Sequence, residues 1–312
     1  MTGTNERTGT TPDEIRAVPV RHYGRWVAGV VIVFAAVLVL RSVATNANME
    51  WGVVGDYLFN DRVIRGLQNT LILTAISMVI GVAGGIVLAV MRMSPNPLTS
   101  GAAGIYIWLF RGTPLITQLV IWNYLALFYP RLGIGIPFGP EFAGANTNSL
   151  ITPFMAALLG LGLNEAAYMA EIVRGGILSV DAGQLEAASA LGMSRGKTLR
   201  RIILPQAMRV IIPPTGNETI AMLKTTSLVV VIGYFELMTA VQQIYAQNYK
   251  IAPLLIVAAL WYLFLTSVLT LIQMQIEKHF ARGTSRAEAT RVTWANRMLG
   301  FRFGNRDQGG QR

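Results

Sequence analysis

The sequence contains no cysteine and only two histidines, His22 and His279. Without cysteine the chain can form neither a disulfide framework nor a thiolate metal site. The patterns H-x-x-H and H-E-x-x-H are also missing, so the usual ligand spacings of a zinc enzyme do not occur. These absences argue against a disulfide-stabilised scaffold and against metal catalysis.

Charged residues are scarce as well. Only 13% of the 312 residues are charged, whereas soluble domains carry about a quarter, and 53% are hydrophobic. The apolar residues are concentrated in long runs and are not spread evenly along the chain. Such runs predict a polytopic membrane protein and not a soluble core.

Six apolar stretches have the length of about 20 residues that a helix needs to cross a bilayer. The first follows a polar segment and has no convincing small-residue cleavage site, so we interpret it as a retained anchor helix. The third is interrupted by Arg111-Gly112-Thr113-Pro114, and the fifth contains a Pro-Pro pair together with Glu218 and Lys224. The predicted spans are residues 26–44, 67–91, 105–129, 149–173, 208–232 and 251–276.

The basic residues indicate how these spans are oriented. With six spans and both termini on one side, that side carries nineteen Lys and Arg residues and the opposite side carries five. Lys and Arg accumulate in cytoplasmic loops, so both termini are predicted to be cytoplasmic. The formal net charge of +10 is then mainly a topology signal, with contact to anionic lipid as a further role, and it does not indicate nucleic acid.

A polar, alanine-rich and basic segment, residues 181–207, lies between the fourth and fifth predicted spans. Asp181 is a suitable N-cap for a short helix, and Gly192 suits the position that ends it. Ser194 can cap a second helix over residues 195–203, and Pro205 follows its predicted end. The sequence therefore predicts a helix, a glycine turn and a second helix on the cytoplasmic face.

This segment also contains Gly196-Lys197-Thr198, the ending of a phosphate-binding loop. However, only three residues separate Gly192 from Gly196, whereas the phosphate-binding signature requires four. No strand is predicted before it. We therefore predict that this chain does not itself bind a nucleotide.

Ordered motifs carry a resemblance to a known family. Glu186-Ala187-Ala188, then Gly192, then Ile202-Ile203-Leu204-Pro205 resembles the EAA signature of the membrane subunits of ABC importers. The stretches FRGTPLITQ, AAYMAEIVRGGILSVDAGQ and LKTTSL resemble the permease subfamily for polar amino acids, of the histidine, glutamine, glutamate and arginine type. Together they cover residues 66–277.

The resemblance implies an all-α membrane protein with the five-helix core of a type I ABC importer permease and one additional N-terminal helix. On this basis residues 1–25 form a disordered cytoplasmic segment, 26–45 the additional helix, 66–277 the transmembrane domain and 278–312 a basic cytoplasmic tail. Such permeases form the translocation pathway for polar L-amino acids in the cell membrane and are not enzymes themselves.

The resemblance also implies partners. A permease of this kind pairs with a second permease subunit, receives its substrate from an extracytoplasmic binding protein and docks on two ATPase subunits, which hold ATP and magnesium. The permease itself binds no cofactor. The residues implied to dock on the ATPase are Glu186, Ala187, Ala188, Leu191 and Gly192.

Ionisable residues at membrane depth are candidates for the substrate path, because burying an unpaired charge there is costly. Arg111 stands beside the break in the third span, where it could line the path or bond to carbonyls that the break frees. Glu165 could meet a substrate ammonium group or pair with Lys224 or Arg111. Lys224 and Thr225 belong to the LKTTSL motif and complete the candidate path.

Two other classes of protein are compatible with the apolar runs. An ion-coupled secondary carrier could use Glu165 as a cation or proton site and would not need the EAA segment. A membrane scaffold or sensor would show no substrate flux at all.

Overall fold

The computed structural model describes residues 23–136 and 141–280. The chain separates into two parts, of which the first ends at Glu50 and contains helix α1, Tyr23–Thr45, and a 3-10 turn at Ala47–Met49. Helix α1 begins at Tyr23, inside the segment predicted to be disordered. The rest of that segment and most of the predicted basic tail lie outside the described residues.

The second part begins at Trp51 and is mainly helical. Its helices are α2 Trp51–Leu58, α3 Asp61–Arg92, α4 Pro97–Gly112, α5 Leu115–Asn123, α6 Leu125–Phe128, α7 Thr147–Leu150, α8 Pro153–Leu178, α9 Ala182–Ala190, α10 Arg195–Thr198, α11 Leu204–Thr225, α12 Leu237–Asn248 and α13 Ile251–Phe280. A π-helical segment, Leu199–Ile203, joins α10 to α11, and a 3-10 segment, Thr226–Ile232, follows α11. Strands β1 Arg131–Gly135 and β2 Glu141–Asn146 form a small antiparallel hairpin.

Among the described residues, the helices α1, α3, α8 and α13 are each long and apolar enough to cross a membrane. Two bent pairs raise the number of candidate spans to as many as six. The first pair is α4 with α5, and the second is the helical run from Arg195 to Ile232 with α12. The spans predicted from the sequence therefore correspond to these helices.

The third predicted span is broken where the Gly-Thr-Pro sequence stands. Helix α4 ends at Gly112, Thr113 is extended, and α5 starts after Pro114 at an angle of 101° to α4. Proline disfavours the helical conformation of the residue before it, which explains the extended backbone of Thr113. The predicted break is confirmed, but a bend this large makes the segment two differently directed helices and not one interrupted rod.

The fifth span differs from the prediction at its start. A separate second helix over residues 195–203 was expected to end before Pro205, but the helix continues through the π-helical segment into α11 without a break. Pro205 lies in the first turn of α11. A π turn is wider than an α turn, so it relieves the crowding that a proline ring causes against the preceding turn.

The centre of the second part is the packing of α3 against α8, which run in the same direction. A Cβ atom at Gly84 would lie 2.9 Å from the Ala166 Cβ atom, and one at Gly85 would lie 2.9 Å from the Met169 carbonyl carbon. A Cβ atom at Gly81 would lie 2.7 Å from the Glu165 Cβ atom. Glycine at these positions lets the backbones of the two helices approach closely.

Helix α2 and the hairpin were not predicted. Helix α2, ahead of the predicted domain 66–277, places Val54 in one buried cluster with Leu254 and Val257 of α13. The hairpin occupies a glycine-rich segment between the third and fourth predicted spans. Its glycines obscure the alternation by which a strand is normally recognised.

Candidate coupling surface and polar cluster

Helix α9 carries the residues implied to contact an ATPase. It begins as predicted, because Asp181 Oδ1 accepts a hydrogen bond of 2.8 Å from the Gly183 backbone N–H. An aspartate in this position satisfies one of the N–H groups that the first turn leaves without a partner. The helix then presents Glu186 and Ala187 on its exposed side.

Gly192 ends this helix in the way its position in the sequence predicts. Its φ is +67°, in the left-handed region, where a side chain would be strained. The Gly192 N–H donates to the Ser189 carbonyl oxygen at 3.0 Å, and the Met193 N–H donates to the Ala188 carbonyl oxygen at 3.0 Å. Both bonds of a Schellman motif are present, so the direction of the chain after α9 is well defined.

The implied docking residues do not all face outward. Leu191 is 81% exposed, and Glu186, Ala187 and Gly192 are also exposed, but Ala188 is only 2% exposed. Ala188 therefore packs inside this subunit, and the surface available to a partner consists of Glu186, Ala187, Leu191 and Gly192. We call these four residues the coupling surface.

The residues after the turn join the coupling surface to a span. Ser194 occupies the N-cap position of α10 as predicted, but its side chain makes no capping hydrogen bond. Instead its carbonyl oxygen accepts bonds from the Thr198 N–H at 3.0 Å and the Thr198 hydroxyl at 3.2 Å. The helix then continues through the π-helical segment into α11, so continuous helical backbone joins the coupling surface to a span.

A polar cluster lies at the break between α4 and α5. Gln118 donates through Nε2 to the Phe110 carbonyl oxygen at 2.9 Å and to the Thr113 hydroxyl at 2.7 Å. Asn164 of α8 donates to the same Phe110 carbonyl at 2.9 Å and to Gln118 Oε1 at 3.2 Å. Two amide side chains thus satisfy the groups that the break exposes.

Arg111 does not bond to these carbonyls, so the structural alternative suggested for it is wrong. Its guanidinium carbon lies 5.1 Å from the centre of the Tyr168 ring of α8, the geometry of a cation–π contact. The side chain is exposed and remains available to a ligand. The side-chain amides of Gln118 and Asn164 donate to the carbonyl oxygen of Phe110 at the break instead.

Glu165 is the most deeply buried of the predicted path residues, with 5% exposure. It packs against Gly81, and its Oε1 atom has no hydrogen-bond partner among the residues that the structure describes. Within residues 23–136 and 141–280 it forms no ion pair with Arg111 or Lys224, so the suggested pairing is not present. Glu218 of α11 interacts electrostatically with both Glu165 and Arg111, and the sequence analysis did not select it.

Lys224 and Thr225 lie further along α11, where they take part in hydrogen bonds at the end of the helix. Thr225 donates its hydroxyl hydrogen to the Ala221 carbonyl oxygen at 2.9 Å, and Ser227 donates to the Lys224 carbonyl oxygen at 2.7 Å. Lys224 itself is exposed. No hydrogen bond or ion pair in the described part of the chain joins either residue to Arg111 or Glu165.

Glu236 is a second acidic residue that the sequence analysis missed. It is fully buried at the start of α12, where it accepts hydrogen bonds from the Met238 N–H at 2.9 Å and the Thr239 N–H at 2.7 Å. The hydroxyls of Thr70 from α3 and Tyr262 from α13 also donate to it. The signal that could have found it is a single acidic residue within the apolar run from Val229 to Ala240.

The long apolar helices and the two bent spans have the architecture expected of the membrane subunit of an ABC importer. Residues 81–282 match the family described as "binding-protein-dependent transport system inner membrane component", and the chain belongs to this family. The predicted family and fold class are thereby confirmed. The ion-coupled carrier and the scaffold are no longer supported.

Individual relatives show which importer permeases the chain is similar to. The chain is 47% identical over 296 residues to the arginine transport system permease protein ArgU of Corynebacterium glutamicum, covering 93% of this chain and 92% of that protein. It is 36% identical over 219 residues to the glutamine transport system permease protein GlnP of Escherichia coli K12, covering 69% and 91%. A crystal structure of an amino acid ABC transporter with histidines superposes with a TM-score of 0.59 at 35% identity, covering 70% of this chain and 94% of that one.

Proposed function

We propose that this chain forms the translocation pathway of an ATP-driven importer for polar L-amino acids, with arginine-like cations as its preferred cargo. The observation that carries the transport role is the coupling surface, an exposed elbow at Leu191 and Gly192 that continues into a span. A movement imposed there by a partner would tilt α11, which also carries Glu218 of the polar cluster.

The preference for a cation is supported by two features. Among the relatives, the 47% identical ArgU is an arginine permease by name. In the spans, Glu165 and Glu218 supply two carboxyl groups against the single guanidinium of Arg111, and Glu165 Oε1 has no partner in the described chain. A carboxyl group without a partner at membrane depth is a candidate for contact with a cationic substrate group. Arg111 would meet the carboxylate end of the same amino acid.

The proposal includes the partners that the family name and the fold call for. Two ATPase subunits would dock on the coupling surfaces and hold ATP and magnesium, so this chain would need no cofactor of its own. An extracytoplasmic binding protein would deliver the substrate, and a second permease subunit would complete the pathway. The uneven distribution of Lys and Arg supports an orientation with both termini in the cytoplasm.

Reconstitution into liposomes tests this function. The chain would be co-purified with its cognate ATPase and binding protein, and uptake of labelled arginine, glutamine and glutamate would be measured with ATP inside the vesicles. We expect uptake that requires ATP, persists when ionophores dissipate the ion gradients, and is fastest for arginine. Uptake that needs an ion gradient and no ATP would contradict the importer, and equal rates for the three substrates would contradict the cation preference.

A further inference from the structure

An apolar groove lies between α3, α8, α11 and α13, at the end of the second part where α9 also lies. Its volume is about 830 Å³, within the range of ligand pockets in proteins. Ile86 of α3, Met169 of α8, Leu204 and Met208 of α11 and Ile272 of α13 contribute to its walls.

The few polar groups in the groove already have partners. The Thr215 hydroxyl donates to the Ile211 carbonyl oxygen at 2.8 Å, and the Thr219 hydroxyl donates to the Thr215 carbonyl oxygen at 2.9 Å. Gln273 donates to Asn217 Oδ1 at 3.0 Å and to Glu277 Oε1 at 2.7 Å. The groove therefore offers little to a zwitterionic amino acid and is suited to hydrocarbon.

Basic residues continue the groove beyond its apolar walls. Leu199 lines the groove and is followed directly in the chain by Arg200 and Arg201, so these two cations lie beside the apolar walls. Lys197, Arg200 and Arg201 surround a shallow second cavity of about 560 Å³, and Leu199 between them lines the groove. None of the three cations forms an ion pair with another described residue, and no Asp or Glu occurs between Arg195 and Asn217.

We propose that this groove binds an anionic phospholipid, with its acyl chains along α3 and α11 and its phosphate at Lys197, Arg200 and Arg201. A hydrocarbon slot that ends in unpaired cations complements the two halves of such a lipid. The inference rests on the membrane placement of the chain, and the orientation proposed above puts the lipid in the cytoplasmic leaflet. Bound there, the lipid would contact the helical connection between the coupling surface and α11.

A bulky substitution that fills the groove tests whether the acyl chains of the lipid bind there. The full-length chain would be purified in detergent and titrated with palmitoyl-oleoyl phosphatidylglycerol or phosphatidylcholine, and bound lipid would be counted by native mass spectrometry. Ile86→Trp places an indole in the groove, whereas Val87→Trp alters a neighbouring exposed residue that does not line it. We expect Ile86→Trp to lose phosphatidylglycerol binding and Val87→Trp to retain it.

Removing positive charge tests whether the lipid phosphate binds at the basic residues. Replacing both Arg200 and Arg201 with Gln removes two of the three cations, so affinity for phosphatidylglycerol should fall by about tenfold or more while affinity for phosphatidylcholine stays constant. Arg195→Gln is the matched control, because Arg195 is exposed on the same helical run but does not line the second cavity. This arm remains decisive even if Ile86→Trp fails to fold.

Three results would overturn the proposal. The first is equal binding of the two lipids by the unaltered chain. The second is an equal effect of Ile86→Trp and Val87→Trp on lipid binding. The third is rapid disulfide formation between two copies of the Ile86→Cys variant. The last result would show that a second copy fills the groove, and it is readable because the chain has no other cysteine. Lipid binding needs neither substrate nor ATPase, so its failure is distinguishable from a failure of amino-acid uptake.

Discussion

Gly192 and Gly196 are both exposed, and a Cβ atom at either would meet no neighbour within 4 Å. They differ in backbone conformation, because Gly192 alone of the two has a positive φ. Replacing it with a β-branched residue forces the elbow out of its left-handed conformation, at a cost of about 1–2 kcal/mol or more. This strain affects the backbone where the chain leaves α9, and it does not affect the packing of the membrane-spanning helices.

We therefore expect Gly192→Val to insert into the membrane at normal levels but to uncouple ATP hydrolysis from uptake. Reconstituted complexes would be compared for ATPase rate and arginine uptake, with Gly196→Val as the control. The control should keep the ratio of transport to hydrolysis close to that of the unaltered chain. Normal uptake by Gly192→Val would show that the elbow does not transmit the movement.

Leu191 and Leu98 form a second matched pair, since each is 81% exposed. Leu191 belongs to the coupling surface, whereas Leu98 lies at the start of α4. Leu191→Asp should reduce co-purification of the ATPase by about tenfold or more, because a buried apolar anchor at an interface contributes at least 2 kcal/mol. Leu98→Asp should leave co-purification unchanged, and equal losses would remove Leu191 from the docking site.

Glu236 is the residue whose loss we expect to affect stability most. Glu236→Ala removes the acceptor of two backbone N–H groups and two hydroxyls inside the protein, which should destabilise the fold by about 2–4 kcal/mol. Glu171→Ala is the control, because its half-exposed pair with Arg174 contributes about 1 kcal/mol or less. Thermal unfolding in detergent would measure both, and similar midpoints would show that the buried network is not important for stability.

At the scale of elements, the contact between α3 and α8 depends on the absence of side chains. A Cβ atom at Gly85 would approach the Met169 backbone to 2.9 Å, while one at Gly101 of α4 would meet nothing within 4 Å. Gly85→Ala should destabilise the protein by about 1–3 kcal/mol through overpacking. Gly101→Ala should stabilise its helix by about 1 kcal/mol. Opposite shifts in the thermal unfolding midpoint would confirm the contact, and shifts of the same sign would contradict it.

The bend between α4 and α5 and the π-helical segment before α11 are the other informative elements. At both places a proline interrupts regular hydrogen bonding, yet the outcomes differ. Before α5 the chain turns by 101°, and Gln118 and Asn164 satisfy the exposed groups. At Pro205 the helix widens and continues, because the preceding π turn removes the crowding.

At the scale of the whole molecule, the acidic residues of the spans decide which cargo is preferred. If Glu165 and Glu218 attract a cationic side chain, Glu165→Gln should reduce arginine uptake by about tenfold and glutamine uptake much less. Glu171→Gln, on the same helix but paired with Arg174, is the control. Competition between labelled arginine and glutamine in proteoliposomes would measure the ratio, and an equal loss of both substrates would show that Glu165 has no role in selectivity.

Much of the architecture is determined locally and could be predicted from the sequence. Apolar runs of spanning length specify membrane helices, Gly-Thr-Pro specifies a break, and Asp181 and Gly192 specify where α9 begins and ends. Each of these signals acts within one or two helical turns. The segment from Glu186 to Gly192 could likewise be identified because its residues are contiguous.

Other features depend on which residues meet across the fold. The inward orientation of Ala188, the Tyr168 ring beneath Arg111, the Glu165 Oε1 atom that has no partner among the described residues, and the Thr70 and Tyr262 hydroxyls that donate to Glu236 all depend on how separate helices meet. A sequence shows that a charge is present in a span, but only the packing of neighbouring helices decides whether that charge acquires a partner. The sequence alone therefore determined the family, the spans and the coupling segment, whereas the tertiary structure decided which of their side chains remain free to bind something else.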